Sequence, residues 1–338
     1  MNIKTLLLIP AIFLAILGLS VSMAGCGKGG TQAGGDGTQE ETLSELRLDY
    51  AYWSPISLVL RNKGFIEEEF SKDNIKVTWI FTTGGNKTME YLRSNSLDIG
   101  SSAGIAAFQS FANGNPIKTI YITSTPEWAA LVLKPGSDIK SIEDLKGKTI
   151  AATPGTDPYL FMVRTLASAN LGLSDVNVVT LQHPDGKNEL MRGRVDAWAG
   201  LDPQMAEAEL DGASYLYRNP DYNTYCVISV SKDFAEKHPD IIKRVLAVYE
   251  RGRKWAKDNP EEYFELFLRE AKIRPEVGKI VLGRTTLDDD EISDKFIGVL
   301  TGAGNDLKKA GVLKNEEDIG KLVNDWVDTS FYDAVKGN

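Results

Sequence analysis

Three short segments of this 338-residue chain share a pattern suited to binding: Thr82-Thr83-Gly84-Gly85-Asn86, Ser101-Ser102-Ala103-Gly104 and Thr153-Pro154-Gly155-Thr156-Asp157-Pro158. Each follows a short apolar run and opens onto a helix-like one. The first N–H groups of a helix have no intrahelical partner and carry a partial positive charge, so such turns suit a polar or anionic ligand group. Glycine lets the backbone approach a ligand closely, and the hydroxyls add donors. Taken singly, each turn is equally well a plain helix cap; three of them in one fold point to a pocket. Tyr52, Trp53, Trp128, Tyr159 and Trp198 stand at the same strand ends and would line it, whereas Trp79 and Trp255 read as core. Glu127, Asp157, Asp196 and Asp202 would hold a cationic group as readily as move a proton.

Catalytic chemistry finds little to work with. The chain has two histidines and two cysteines, too few for a Cys/His zinc site. His183 precedes a proline and reads as a solvated turn residue, as does His238 in Lys237-His238-Pro239-Asp240. There is no G-x-S-x-G, no phosphate-binding Walker loop and no G-x-G-x-x-G. Cys226, inside the apolar run TYCVISV, reads as a buried inert thiol. No catalytic residue, metal or cofactor is expected. With 38 basic against 47 acidic residues, a net charge of −9 and no basic stripe, nucleic acid is not an expected partner.

The elements that must position these residues alternate. LRLDYAY, IKVTWIF, LDIGSS and IKTIYITS are separated by helix-like segments, and AALVLK, KTIAAT, VNVVTL and VDAWAG continue the series before several helices close the chain, the last long one expected over 289–310. That alternation predicts an α/β fold with helices on both faces of its sheets. Leu131 to Lys134 and Thr224 to Val230 read as crossings, which gives a first lobe over 43–133, a second over 134–224 and a return to the first over 225–338. A single doubly wound sheet is the alternative.

The N-terminus has its own logic. Lys4 is followed by an uncharged apolar run to Ser22-Met23-Ala24-Gly25-Cys26, and Gly27 to Thr42 is nearly all Gly, Thr, Gln and acid. The small residues before a cysteine resemble the cleavage site of bacterial lipoproteins, with Met23 in place of the usual Leu. Residues 1–25 are then a signal peptide, Cys26 the lipidated residue and 26–42 a flexible tether; a retained membrane anchor is the other reading.

Leu97-Asp98-Ile99-Gly100-Ser101-Ser102, Pro135-Gly136-Ser137, Ile142-Glu143-Asp144-Leu145-Lys146-Gly147-Lys148 and Gly193-Arg194-Val195-Asp196-Ala197-Trp198 together resemble the type II substrate-binding proteins of ABC importers, in the sulfonate, taurine and nitrate branch. The resemblance runs from about Leu46 to the C-terminus. It implies the type II periplasmic-binding fold, two α/β lobes joined by two crossover strands. It further implies an exported monomer that captures a small solute by hinge closure and delivers it to a permease and its ATPase subunits. The implied ligand contacts are Tyr52, Trp53, Thr83, Gly84, Gly85, Asn86, Ser101, Ser102, Glu127, Trp128, Gly155, Thr156, Asp157, Tyr159, Trp198 and Asp202.

Asp157 before Pro158 is a favoured cap that would oppose an anion. Leu201-Asp202-Pro203 resembles the Trp-Asp-Pro segment of taurine binders, which favours an amine-bearing sulfonate, with plain capping by Asp202 as the alternative. The same fold also carries enzymes, a dehydratase of menaquinone biosynthesis and pyrimidine-precursor synthases, and that reading stays as the alternative function. Cys26→Ser should release the protein from membranes in cell fractionation; a variant as tightly bound and as uncleaved as wild type would leave the anchor reading instead.

Overall fold

The computed structural model describes residues 43–288 and 291–336, so the signal peptide, Cys26 and the tether lie outside the described residues. The strands are β1 (Glu45–Tyr50), β2 (Lys76–Phe81), β3 (Ile99–Ala103), β4 (Ile117–Pro126), β5 (Ala129–Leu133), β6 (Thr149–Ala152), β7 (Asn177–Thr180), β8 (Ala197–Leu201), β9 (Ser214–Tyr217), β10 (Cys226–Ser231) and β11 (Thr285–Thr286). The helices between them are α1 (Pro55–Lys63), α2 (Phe65–Phe70), α3 (Gly85–Arg93), α4 (Gly104–Ala112), α5 (Asp157–Ser168), α6 (His183–Met191) and α7 (Gln204–Leu210). The chain ends in α8 (Lys232–Lys237), α9 (Pro239–Asp258), α10 (Pro260–Ala271), α11 (Pro275–Gly283), α12 (Asp294–Lys309), α13 (Ile319–Trp326) and α14 (Ser330–Lys336).

Two mixed sheets result, in the orders β11-β4-β10-β3-β1-β2 and β7-β6-β8-β5-β9, each the centre of one α/β lobe. In the first, β1 runs parallel to β2 and β3, and β10 is antiparallel to β3 and β4. In the second, β6 is parallel to β7 and β8, and β5 is antiparallel to β8 and β9. Strand β5 belongs wholly to the second sheet, so the chain changes sheets at Glu127-Trp128, upstream of the boundary expected after Leu133, and returns between Tyr217 and Cys226. The last long helix starts at Asp294, five residues later than expected.

Apolar burial explains why these segments hold. The first lobe buries Leu46 and Leu48 of β1, Ile228 and Val230 of β10 and the inner face of α9 in one cluster, while Trp326 and Phe108 anchor a second under α12 and α13. Trp198, expected at the cleft, is fully buried instead in the second lobe's core, where it packs with Val132, Ala151 and Met205. Its ring occupies the space a side chain at position 186 would need, since a Cβ on Gly186 would stand 2.7 Å from it.

A buried carboxylate orders the first sheet's C-terminal edge. Asp49, at the end of β1, accepts from the Ser101 amide at 2.8 Å, the Ser101 hydroxyl at 2.9 Å, Thr82 at 3.1 Å and Thr88 at 3.2 Å. One side chain thus ties β1, β3, α3 and the turn leading into α3. Ser101 is therefore committed to Asp49 and is not available to a ligand. Burial pushes the Asp49 carboxyl up to about 6, against the donors that favour its charge. The folded chain holds that proton more tightly than the unfolded one, so this stabilisation is full below about pH 4 and is lost as pH rises through about 6. The advantage of wild type over Asp49→Asn should shrink by roughly 3 kcal/mol between pH 4 and pH 7 in urea unfolding. A pH-independent difference would contradict the assignment.

Candidate functional site

Helices α3, α5 and α6 each start directly after the C-terminal end of a parallel strand, the place where open α/β sheets bind ligands. Their first residues, Gly85, Asp157 and His183, line one narrow cavity together with Trp53, Ala103, Ala106, Trp128, Thr156 and Leu201. None of the three helices has a side-chain cap: Gly84 has no side chain to offer, Thr156 gives its hydroxyl to the Thr153 carbonyl at 2.6 Å, and Gln182 makes no cap bond. The N-terminal amides of three helices are therefore left for whatever enters. Helix α4 also begins there, but its amides are spent, because Gly104 N–H donates to the Thr224 carbonyl and Ile105 N–H to Thr224 Oγ1. A side chain at Gly104 would run into that carbonyl.

The cavity holds only about 10 Å³, about the space of a single water. Small-molecule pockets run to roughly 300–1,000 Å³, so the two lobes stand closed on one another here. Its floor is aromatic: Trp53 and Trp128 meet edge to face with centroids 5.7 Å apart. Two buried polar atoms of the cavity lack partners, Trp53 Nε1 and His183 Nε2, as does Asn86 Oδ1 beside it. Asn86 and Gly155 line an outer depression beside the cavity with Arg93, Gln109 and Asn113. Thr83 and Gln182 face each other across the lobes at 3.3 Å. A roomier groove of about 490 Å³ lies at the far end of α5, against Asp306 and Lys309 of α12, away from the strand ends.

Of the residues expected at a ligand, Trp53, Gly85, Trp128, Thr156 and Asp157 are brought together, with Thr83, Gly84, Asn86 and Gly155 beside them. Ser102 lies beneath Gly85 and gives its hydroxyl to the Ala103 carbonyl. Tyr52 packs at a tilt against Phe81, and Tyr159 is half-buried against the hydrophobic clusters that flank α5. Glu127 and Asp202 are not free acids. Glu127 pairs with Arg218 at 2.6 Å, and Asp202 takes the Ala206 amide at 3.0 Å and Arg284 at 3.4 Å, so an amine pocket has no unpaired carboxylate here. Desolvation raises the Asp202 carboxyl to about 6 even beside Arg284.

Asp157 does not cap its own helix. Its carboxylate accepts from Trp128 Nε1 at 2.6 Å, from Thr224 N–H at 2.9 Å and from Thr224 Oγ1 at 2.7 Å, which joins both segments that carry the chain between lobes. Asn223 Oδ1 adds to that junction by accepting from the Trp128 and Ala129 amides. Burial raises the Asp157 pKa, and its three donors oppose the rise.

His183 is another residue that sequence reasoning placed wrongly. It is fully buried rather than solvated, and burial alone draws its pKa down to about 3. Position at the first turn of a helix opening from a strand end was the available signal. Cys226 is buried, and burial pushes its thiol up to about 12. Among the described residues no group of three or more His, Cys, Asp and Glu side chains gathers as a metal site requires.

The model of the NMT1/THI5-like family matches residues 57–263, more than half of the chain. A Bacillus subtilis protein named for aliphatic sulfonate binding is 28% identical over 279 residues, covering 81% of this chain and 82% of that protein. An Escherichia coli protein of the same name is 25% identical, covering 68% and 72%. Among solved structures, the alkanesulfonate-binding protein SsuA from Xanthomonas axonopodis pv. citri, bound to MOPS, superposes with a TM-score of 0.77 at 20% identity, over 85% of this chain and 99% of that one.

Asp157→Ala should cost about 2–4 kcal/mol in urea unfolding, because it strands three donors in a dry junction. It should also change Trp128 emission; a loss under about 1 kcal/mol would show that Asp157 is not the tie between the crossings.

Proposed function

The chain belongs to the NMT1/THI5-like family, and from that premise we propose that it is the extracytoplasmic substrate-binding component of an ABC importer, capturing an alkanesulfonate-type anion by hinge closure. The observation that carries this reading is the meeting of three uncapped helix N-termini at one cavity, where two buried polar atoms, Trp53 Nε1 and His183 Nε2, lack partners. Fixed N–H dipoles suit an anion whose charge is spread over several oxygens, and the tryptophan floor suits an apolar tail. Arg93 at the outer depression adds an exposed cation. The related Bacillus and Escherichia proteins named for aliphatic sulfonate binding support the same class. Taurine and other amino sulfonates fit less well than plain alkanesulfonates, since Glu127 and Asp202 are already matched by arginines.

Closure, in this reading, turns on 127–128 and 218–225, with the second lobe moving against the first. The contacts that span the lobes beyond the junction are both polar and apolar: Arg164 pairs with Asp306, Arg274 with Asp211 and Arg284 with Glu209, while Leu160 and Val163 of α5 share a buried cluster with Leu300 and Ala303 of α12. Binding rather than turnover follows from the polar groups present. The hydroxyl nearest His183, that of Thr153, spends its proton on the Leu181 carbonyl at 2.6 Å, which leaves no activated nucleophile beside the imidazole. Delivery to a permease and its ATPase subunits, monomeric working form and lipid attachment through Cys26 complete the proposal.

Thermal unfolding with ethanesulfonate, taurine and nitrate tests it. A ligand at 100 times its Kd stabilises by about 2.7 kcal/mol, so a sulfonate should raise Tm by several degrees and perturb the emission of Trp53 and Trp128. Scattering should show a no larger particle with ligand than without. Tm and fluorescence unmoved by any alkanesulfonate would overturn the sulfonate assignment.

A further inference from the structure

Helix α6 begins with an imidazole that has been given half of its hydrogen bonding. His183 Nδ1 lies 3.5 Å from Thr153 Oγ1, a long contact. Because the Thr153 hydroxyl donates to Leu181, its oxygen can only accept from the ring, so this network puts the ring proton on Nδ1. Nε2 is then a bare acceptor, buried and without a partner. It faces the other lobe: a Cβ built on Gly84, the residue before α3, would stand 3.7 Å from it. The ring edge packs against Gly84 in this closed form, so an anion enters only as the lobes part; seated between the N-termini of α3 and α6, it would meet donors from both helices and one lone pair, that of Nε2. Two acceptors in contact with no proton between them repel, and a single proton removes the conflict.

We propose that sulfonate capture is coupled to the uptake of one proton from solvent at His183 Nε2, which turns the ring from acceptor to donor and sets a positive charge against the anion. The inference rests on the sulfonate reading above. In the empty site burial keeps the ring neutral, its pKa near 3, so the proton arrives with the ligand.

The charges around the ring do not anticipate that role. Asp157 on α5 shares the cavity, but its carboxylate is held by Trp128 and Thr224. Lys187 on α6 pairs with Glu207 on α7, Lys87 on α3 pairs with Glu90, and Asp185 on α6 is exposed. Strands β6 and β8, which pack against α6, carry no charged residue.

Ethanesulfonate stays ionised throughout the accessible range, so any pH dependence of its binding belongs to the protein. Titration calorimetry of the full chain between pH 5 and 8, in sulfonate-free buffers of different ionisation enthalpy such as Bis-Tris and imidazole, reads the proton directly. The expected result is an affinity that climbs as pH falls, by up to tenfold per unit, and an apparent enthalpy that varies with the buffer by as much as one proton per ligand. His183→Asn should bind with a flat profile and a buffer-independent enthalpy. Wild-type binding that is flat in pH and indifferent to buffer, a measurement that needs no variant, overturns the coupling while leaving the sulfonate reading intact. A slope that survives in His183→Asn assigns the proton to another group and overturns it equally. Absence of ethanesulfonate binding at every pH overturns the underlying reading and the coupling with it.

Discussion

One buried carboxylate holds the two halves of this molecule in register. Asp157 opens a helix of the second lobe, yet its oxygens are taken by Trp128 on the outward crossing and Thr224 on the return. Thr224 in turn satisfies the first amides of α4 in the first lobe. A charge so placed would be ruinous without partners and is costly to separate from those it has, so the junction is a fixed point about which the ion pairs and apolar contacts between the lobes rearrange. The cavity sits directly on that fixed point. Trp128 belongs to both, and so ligand contact and hinge geometry are not independent.

The alternating α/β pattern, the two lobes and the strand-end turns were legible because they are local: apolar runs, glycine turns and helix starts are written in consecutive residues. What was not legible came from pairing over distance. Asp202 looked like a free acid because Arg284 stands 82 residues away, and Glu127 did because Arg218 stands 91 away. Ser101 looked like a ligand group until Asp49, 52 residues earlier, was found to occupy it. Trp198 stands near the start of β8, at the opposite end from Leu201 that reaches the cavity, and its face of the strand belongs to the core. His183 was misread for the opposite reason, since a Pro after a His suggests a loop, whereas here that Pro is the favoured early residue of a helix.

The site's chemistry is that of a neutral host. Helix dipoles, indoles, an amide and an uncharged imidazole surround the space, Glu127, Asp157 and Asp202 are each matched by partners, and the exposed Arg93 stands outside it at the outer depression. Such a host pays little to be dehydrated when empty, which is compatible with a closed form whose cavity holds only about 10 Å³. It also suits an ion whose charge is diffuse more than one that demands a compact counter-ion.

The ion pairs that reach from α11 and α12 to the second lobe differ from the Asp157 junction in one respect, their contact with solvent. Arg274 and Asp211 are both substantially exposed, as is Asp306 opposite Arg164. Counter-ions at physiological strength screen such pairs over about 8 Å, and brine screens them further, while the dry junction is shielded. For a protein working outside the cytoplasm, the salinity of the surroundings thus acts on the flanking straps and leaves the pivot alone, so a change of habitat would alter how readily the jaws part without moving the axis on which they turn.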